Sequence, residues 1–350
     1  MNELHATVSK LLAPHKGLLA ADESTKSASV RFQTLGIPCT DETRRQYRQM
    51  LITTPGIEAY LSGVIFYDET IRQSTDDGTP FPQYLETQGI IPGIKVDKGL
   101  VPLDNFDGET ITEGLDGLGD RLSEYYKLGA RFAKWRAAFT VNEKQPSQAA
   151  LHANLHTMAR YASLCQSHGI VPIVEPEILY DGPQGLERAH AATSAALQLL
   201  VQMLKAYRVD LSGCILKTSM VLAGKQSGEA SSPKDVAEHT LAVLNEAIPA
   251  EMAGVVFLSG GQTPEQARDN LQAIGAQGEQ PWPITFSYSR AVQDPAMKAW
   301  AGKPENISKA QTIYTQLTHN VSLARHGEYE PQLNVDASSN ESFVSQSQDS

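Results

Sequence analysis

Ionisable side chains recur at the ends of short apolar segments in this sequence. Lys217 closes the apolar run LSGCIL. Lys134 and Arg136 lie two residues apart in ARFAKWR, and Glu175 and Glu177 have the same spacing in IVPIVEPEI. Residues two apart on a strand face the same side of it. Each pair is therefore expected to point to one side of its strand, as a catalytic group would require.

Lysine among carboxylates is suited to covalent chemistry on a carbonyl compound. The amine of Lys217 would attack the carbonyl carbon and form an imine. Loss of water during that step needs proton transfer, which Glu175 or Glu177 would supply. The iminium withdraws electrons from the adjacent carbon–carbon bond, and Asp22 is a candidate base for the departing hydroxyl. We therefore predict Schiff-base chemistry, with Lys134 as the cationic neighbour of Lys217.

Eight short apolar segments, separated by stretches long enough for a helix, carry these residues. They are GLLAADES (17–24), GVIFYDE (63–69), IIPGIKVD (90–97), ARFAKWR (130–136), IVPIVEPEI (170–178), LSGCILKTS (211–219), AGVVFLSGG (253–261) and PITFSYSR (283–290). Repeated strand–helix units predict an α/β protein with parallel strands. Eight such units fit a (β/α)8 TIM barrel, whose active site lies at the carboxyl ends of its strands. The alternative, a doubly wound open sheet, is disfavoured because no GxGxxG follows the first strand.

A second set of residues at the strand ends suggests phosphate binding. The segments LSGGQT and SYSRA follow the seventh and eighth predicted strands, where TIM barrels often bind phosphate. Gly260 and Gly261 would let a phosphate approach the backbone, and Arg290 would supply a charged fork. Together with the lysine they predict a phosphorylated carbonyl substrate.

The composition limits the other classes of function. The chain has 350 residues and a formal net charge of −11, so a nucleic-acid-binding surface is not expected. Three cysteines without a CxxC pair argue against a disulfide framework. We expect a cytoplasmic protein, without signal peptide or membrane span. We further expect one barrel domain over residues 1–330 and a flexible tail rich in serine, glutamine and asparagine over 331–350.

The segments taken together resemble class I, Schiff-base fructose-bisphosphate aldolase. The matching stretches extend from about residue 15 to about residue 325. They are GLLAADEST, DDGTPFPQYL, GIKVDKG, GLDGL, FAKWR, GIVPIVEPEIL, ILKTSMV, FLSGGQT and TFSYSRA. The resemblance implies reversible cleavage of fructose 1,6-bisphosphate to dihydroxyacetone phosphate and glyceraldehyde 3-phosphate, in glycolysis and gluconeogenesis. It also implies a lyase that works as a homotetramer, without a cofactor and without a catalytic metal.

The resemblance assigns a role to each candidate residue. Lys217 would form the Schiff base, Glu175 would be the acid/base group supported by Glu177, Lys134 would assist carbinolamine breakdown, and Asp22 would orient the ketone or take the C4 hydroxyl proton. The C1 phosphate would be bound by Ser259, Gly260, Gly261, Ser287 and Arg290. The C6 end would be bound by Ser24, Arg31, Lys95 and Arg136.

Several positions depart from the pattern of the family. Thr218 and Ser219 follow the lysine where many animal enzymes have Pro-Asn, and Ser289 stands where glycine is common. Val30 replaces a basic residue, and no tyrosine follows Tyr329, although a terminal tyrosine assists proton transfer in many relatives. Two alternatives remain open: another Schiff-base lyase of the transaldolase type, and an inactive barrel that serves as a scaffold. An inactive scaffold would be expected to lack some of the catalytic residues. The four principal ones are all present: Asp22, Lys134, Glu175 and Lys217.

Overall fold

Eight parallel strands form a closed barrel in the computed structural model, which describes residues 3–331. The barrel strands are β1 (Gly17–Ala21), β2 (Leu61–Phe66), β3 (Ile91–Lys95), β6 (Phe132–Phe139), β7 (Val171–Ile178), β8 (Ile215–Thr218), β9 (Gly254–Phe257) and β10 (Ile284–Tyr288). Each strand pairs in parallel with its neighbour, and β1 closes the ring by pairing with both β2 and β10. The predicted TIM barrel is confirmed, and the open sheet is excluded.

Helices lie between the strands and around the barrel. They are α1 (Glu3–Leu11), α2 (Thr25–Thr34), α3 (Asp41–Ile52), α4 (Asp68–Ile71), α5 (Phe81–Thr87), α6 (Leu118–Lys127), α7 (Gln148–Ser167), α8 (Leu186–Ala206), α9 (Pro233–Ala247), α10 (Pro264–Gly275), α11 (Arg290–Trp300) and α12 (Ile307–Ala324). Several begin at side chains that accept the free amide groups of the first turn. Ser232 and Thr263, for example, form capping boxes at the starts of α9 and α10.

Besides shifts in strand ends, the structure differs from the sequence-based prediction around β8 and after β3. Residues Leu211–Gly213 form a 3-10 turn, because the Asp210 side chain accepts the Ser212 amide, so β8 begins only at Ile215. An antiparallel hairpin, β4 (Gly99–Pro102) with β5 (Thr110–Glu113), also follows β3 outside the barrel. Its strands are short and partly exposed, so they lack the apolar run by which the barrel strands were identified.

Alternating strand residues fill two separate cores. Leu18, Ile65, Phe132, Ile173 and Val256 pack with one another inside the barrel. The intervening residues face outward and pack in the larger core that includes the surrounding helices. Helix α1 belongs to the inner cluster through three apolar residues, Leu4, Val8 and Leu11, so it covers the amino-terminal end of the barrel. Because these side chains fill the barrel interior at that end, the interior opens at the carboxyl-terminal end.

Gly93 in β3 meets the ring of Phe132 inside the barrel. A Cβ atom at this position would overlap the ring carbons of Phe132. Gly93→Ala is expected to lower the free energy of unfolding by about 1–3 kcal/mol, because overpacking forces neighbouring side chains out of place. Urea denaturation measures this loss. Gly119→Ala is the matched control in helix α6, where the added methyl group would lie 3.6 Å from His168, an ordinary contact. A loss of stability as large in Gly119→Ala as in Gly93→Ala would contradict the explanation.

Within residues 3–331, no helix is long and apolar enough to cross a membrane. Apart from Pro331, the tail predicted over residues 331–350 lies outside the described residues. The proposed boundary between the barrel and the tail therefore stays a prediction.

Candidate active site

A cavity of about 570 Å³ opens at the carboxyl ends of the barrel strands. It has a volume typical of a small-molecule site. Most of the residues singled out from the sequence line it: Asp22, Ser24, Lys95, Lys134, Arg136, Glu175, Glu177, Lys217, Ser259, Gly260, Ser287 and Arg290. The period-two prediction holds for β6, where Lys134 and Arg136 line the cavity while Trp135 is buried in the outer core.

Four ionised side chains form a continuous chain at the bottom of this cavity. Lys217 Nζ lies 3.2 Å from Glu175 Oε1. Lys134 Nζ lies 3.2 Å from Glu175 Oε2 and 2.7 Å from Asp22 Oδ2. All four side chains are at most 11% exposed. Two lysines and two carboxylates thus balance one another in a buried setting, where an unpaired charge would be costly.

The carboxylates in this chain are held in their ionised form. Burial alone would raise the pKa of Asp22, but the charges of Lys134 and Lys217 outweigh it and lower the pKa to about 2. Glu175 behaves in the same way: burial raises its pKa, and the two lysines together with Arg136 bring it below its usual value. Burial would lower the pKa of Lys134, yet Asp22 and Glu175 raise it well above that of a free lysine. Lys134 is therefore a permanent cation beside the reactive groups.

Two further ion pairs lie on the side of β3 and β6. Arg136 Nε donates to Glu177, and Lys95 Nζ donates to Asp97. Burial would lower the pKa of Arg136, but the charge of Glu177 raises it above its usual range. The Arg136 side chain is 30% exposed, so part of the guanidinium faces the cavity while the rest is paired. Both cations can therefore bind an anionic substrate. Without substrate, each remains paired with its carboxylate.

The glycines after β9 bring backbone close to cations from two other segments. Gly260 and Gly261 have φ values of 58° and 89°, which favour glycine. A methyl group on Gly261 would lie 3.5 Å from Arg290 Nη2 and 3.1 Å from Lys225 Nζ. The hydroxyl of Ser287 is buried without a hydrogen-bond partner in the described chain. An anion at this position would find backbone amides, a hydroxyl and a guanidinium within a small space.

Two predicted substrate-binding residues, Arg31 and Gly261, are not among the residues that line the cavity, and Arg31 is turned to other partners. It lies in α2 and donates to Glu23, and its Nη2 lies 2.6 Å from Asp294 Oδ1. Glu23 also pairs with Arg48 at 2.7 Å and accepts from the Ser289 hydroxyl. The φ of Ser289 is −114°, so this position does not require glycine, and its side chain joins the Glu23 cluster instead.

Several cavity residues were not singled out as site residues from the sequence. Lys26, Ser27 and Lys98 line the opening, and Lys225 lies beside Gly261 and Arg290. Lys26 and Ser27 lie at the start of α2, and Lys98 lies between β3 and the hairpin. None lies on a barrel strand, so the alternation of strand residues could not find them. Basic residues that follow a barrel strand, in its loop or in the first turn of the next helix, are the sequence signal for the lysines among them.

The fold and the cavity together define a TIM-barrel enzyme site with buried lysines and carboxylates at the carboxyl ends of the strands. The family model "Fructose-bisphosphate aldolase class-I" matches residues 3–348. A probable fructose-bisphosphate aldolase class 1 of Xanthomonas axonopodis pv. citri is 48% identical over 94% of this chain and 99% of its own length. The cytosolic fructose-bisphosphate aldolase 4 of Arabidopsis thaliana is 44% identical over 97% of this chain and 87% of its own length.

A solved structure agrees with this placement. The fructose-bisphosphate aldolase of Plasmodium falciparum, crystallised with TRAP and a small-molecule inhibitor, superposes with a TM-score of 0.92. It is 43% identical and covers 94% of this chain and 95% of its own. The chain belongs to the class I fructose-bisphosphate aldolases, as the resemblance of its motifs predicted.

Proposed function

We propose that the chain cleaves fructose 1,6-bisphosphate reversibly to dihydroxyacetone phosphate and glyceraldehyde 3-phosphate through an imine on Lys217. The observation that carries the proposal is the contact of Lys217 with Glu175, which also contacts Lys134. An amine, a proton acceptor and a permanent cation are thereby adjacent in one buried cluster. This is the set that imine formation requires.

Glu175 acts first as a base. It is ionised in the free enzyme, so it accepts the proton of the Lys217 ammonium across their 3.2 Å contact. The free amine then attacks C2 of the ketose and gives a carbinolamine. Glu175 returns its proton to the carbinolamine hydroxyl, which leaves as water and completes the imine. Lys134 would donate a hydrogen bond to the same oxygen and so assist the breakdown of the carbinolamine.

Cleavage then breaks the bond between C3 and C4. The iminium accepts the electron pair of that bond as an enamine, and C4 becomes the aldehyde carbon of glyceraldehyde 3-phosphate. We propose that the Asp22 carboxylate, which its low pKa of about 2 keeps ionised, accepts a hydrogen bond from the C4 hydroxyl and takes its proton as the bond breaks. The enamine gains one proton at C3, which balances the proton lost from the C4 hydroxyl. Hydrolysis of the imine then releases dihydroxyacetone phosphate and consumes one water, which balances the water released when the imine formed.

The phosphates extend in two directions from the reacting carbons. We assign the C1 phosphate to Ser259, Gly260, Gly261, Ser287 and Arg290, which surround the turn after β9. Lys95 and Arg136 would bind the C6 end together with Ser24. Arg31 would join them after exchanging its contact with Asp294 for the phosphate. Glu177 would hold Arg136 in position, as their ion pair suggests.

The biological setting is also a proposal. We infer a cytoplasmic enzyme of glycolysis and, in the reverse direction, gluconeogenesis, supported by the cytosolic name of the Arabidopsis relative. The homotetramer implied by the family stays a prediction that sedimentation analysis would test.

Borohydride reduction in the presence of dihydroxyacetone phosphate tests the reaction and the nucleophile together. We expect a stable adduct on the peptide that contains Lys217, detected by mass spectrometry. The adduct should form equally in EDTA, because no metal has a role in the proposed steps. An adduct confined to Lys95 or Lys134 would overturn the assignment, and no adduct at all would contradict imine chemistry.

A further inference from the structure

A second large cavity lies at the opposite end of the barrel. It has a volume of about 720 Å³ and is lined by residues before β1, β9 and β10 together with residues of α1, α10 and the end of α12. Because these residues precede the strands, the cavity lies at the amino-terminal end, away from the site described above. We call it the basal cavity.

Arg325 is the cation in the basal cavity, and it has no carboxylate partner among the described residues. The residue is 7% exposed, and its Nη1 donates to the carbonyl oxygens of Ala13 at 2.9 Å and Lys16 at 2.5 Å. Its Nε is buried without an acceptor. Buried arginines are normally paired with an anion, since an unpaired charge away from water is costly. The Nε–H group of Arg325 thus lacks an acceptor within residues 3–331.

The electrostatics of Arg325 agree with this description. Burial lowers the pKa of Arg325 to about 10, and no carboxylate of the described part of the chain offsets the effect. The side chain therefore remains a cation at neutral pH. The carboxylate among the lining residues, Glu279, is exposed to solvent and forms no ion pair with it.

His326 provides a neutral polar group beside the cation. Its Nε2 accepts the backbone amide of His15 at 3.3 Å, so the neutral ring carries its proton on Nδ1. Burial lowers the pKa of His326, and the nearby charge of Arg325 lowers it further. The cavity thus contains one positive charge rather than two at neutral pH.

The remaining wall is mostly apolar. Val8, Leu12, Ile274, Trp282 and Ile284 line it. The indole nitrogen of Trp282 already donates to Pro249, so its ring offers an apolar surface. One cation and apolar walls suit a monoanion with an apolar body better than a dianion such as phosphate, which needs further positive charge. An arginine also matches the planar geometry of a carboxylate.

We propose that the basal cavity is a binding site for a small carboxylic acid with an apolar or aromatic body, whose carboxylate pairs with Arg325. The bound anion would supply the acceptor that Arg325 lacks. Its apolar body would lie against Trp282 and the aliphatic residues of the wall. The site is separate from the one that carries the proposed aldolase reaction.

A fluorine NMR titration with 4-fluorobenzoate tests this site without using enzyme activity. The matched variants are Arg325→Met and Arg290→Met, which remove one guanidinium at each end of the barrel. We expect saturable binding by the wild type, a dissociation constant within about twofold of it in Arg290→Met, and weakening of at least about tenfold in Arg325→Met. Ser9→Trp, on the exposed face of α1 that lines the cavity, should block binding while leaving Arg325 intact.

The outcomes separate this proposal from the alternatives. Absence of saturable binding by the wild type would overturn it, as would loss of binding in Arg290→Met with retention in Arg325→Met. If inorganic phosphate displaced the probe at a concentration lower than the probe's own dissociation constant, the site would bind phosphate more tightly than the carboxylate. That result would contradict the proposed preference for a carboxylate. Circular dichroism checks the fold of each variant. If Arg325→Met does not fold, the Ser9→Trp result decides, and unchanged binding there would overturn the proposal.

Discussion

Lys217→Met is expected to lose at least about 10⁴-fold in turnover of fructose 1,6-bisphosphate, because it removes the only atom that forms the imine. Methionine has a similar length and no amine. Glu175 keeps its second partner, Lys134, at 3.2 Å, so the variant still pairs this buried carboxylate. The loss of turnover should therefore come from the missing amine, and the barrel should remain folded.

Steady-state turnover and borohydride trapping measure this loss on the same preparation. Lys234→Met is the matched control, since this lysine is exposed on α9 and forms a weak contact of 3.7 Å with Glu238. The control should retain full turnover and form the adduct. Thermal unfolding of both variants shows whether the fold is kept. If Lys217→Met kept more than about one hundredth of the wild-type turnover, Lys217 could not be the nucleophile that forms the imine.

The site residues on the strands could be predicted because the alternation of side chains along a strand and the direction of the strand can be read from the local sequence. Lys134 and Arg136 share a face of β6, and the same spacing predicts Glu175 and Glu177 on β7. Parallel strands in a barrel end at the same side, so residues far apart in the sequence had to converge. This reasoning needs no knowledge of packing.

Residues outside the strands were less predictable, for a physical reason. The side chain of Arg31 leaves α2 in a direction set by how that helix packs against α11, and it reaches Asp294 instead of the cavity. Similarly, Asp210 stabilises a 3-10 turn through one side-chain contact, so the apolar run before Lys217 is only partly a strand. The distances among the charged groups, and hence the direction of each pKa shift, depend on tertiary structure. The sequence could indicate which ionisable groups lie close together, but it could not indicate the protonation state of each group.

The second large effect is expected in Glu175→Gln, which should lower kcat by about 10²–10⁴-fold. Glutamine keeps the shape of the side chain but cannot take the proton of the Lys217 ammonium or return it to the carbinolamine. KM should change much less, because the phosphate-binding residues are untouched. The variant also removes the carboxylate that contacts Lys217, while Lys134 keeps its ion pair with Asp22, so a lower thermal unfolding temperature is expected.

Glu177→Gln is the matched control, two residues further along the same strand. Glu177 pairs with Arg136 rather than with either lysine, so its loss should act mainly on KM through a less well-positioned guanidinium. Rapid-quench borohydride trapping, below the unfolding temperature of both variants, isolates imine formation from the later steps. We expect slow trapping in Glu175→Gln and near-normal trapping in Glu177→Gln. Equal trapping rates in the two variants, or a larger fall in kcat for Glu177→Gln, would assign the proton transfer to a group other than Glu175. Because Glu175 lies between both lysines, a slow trapping rate in its variant alone would place that transfer at the contact with Lys217.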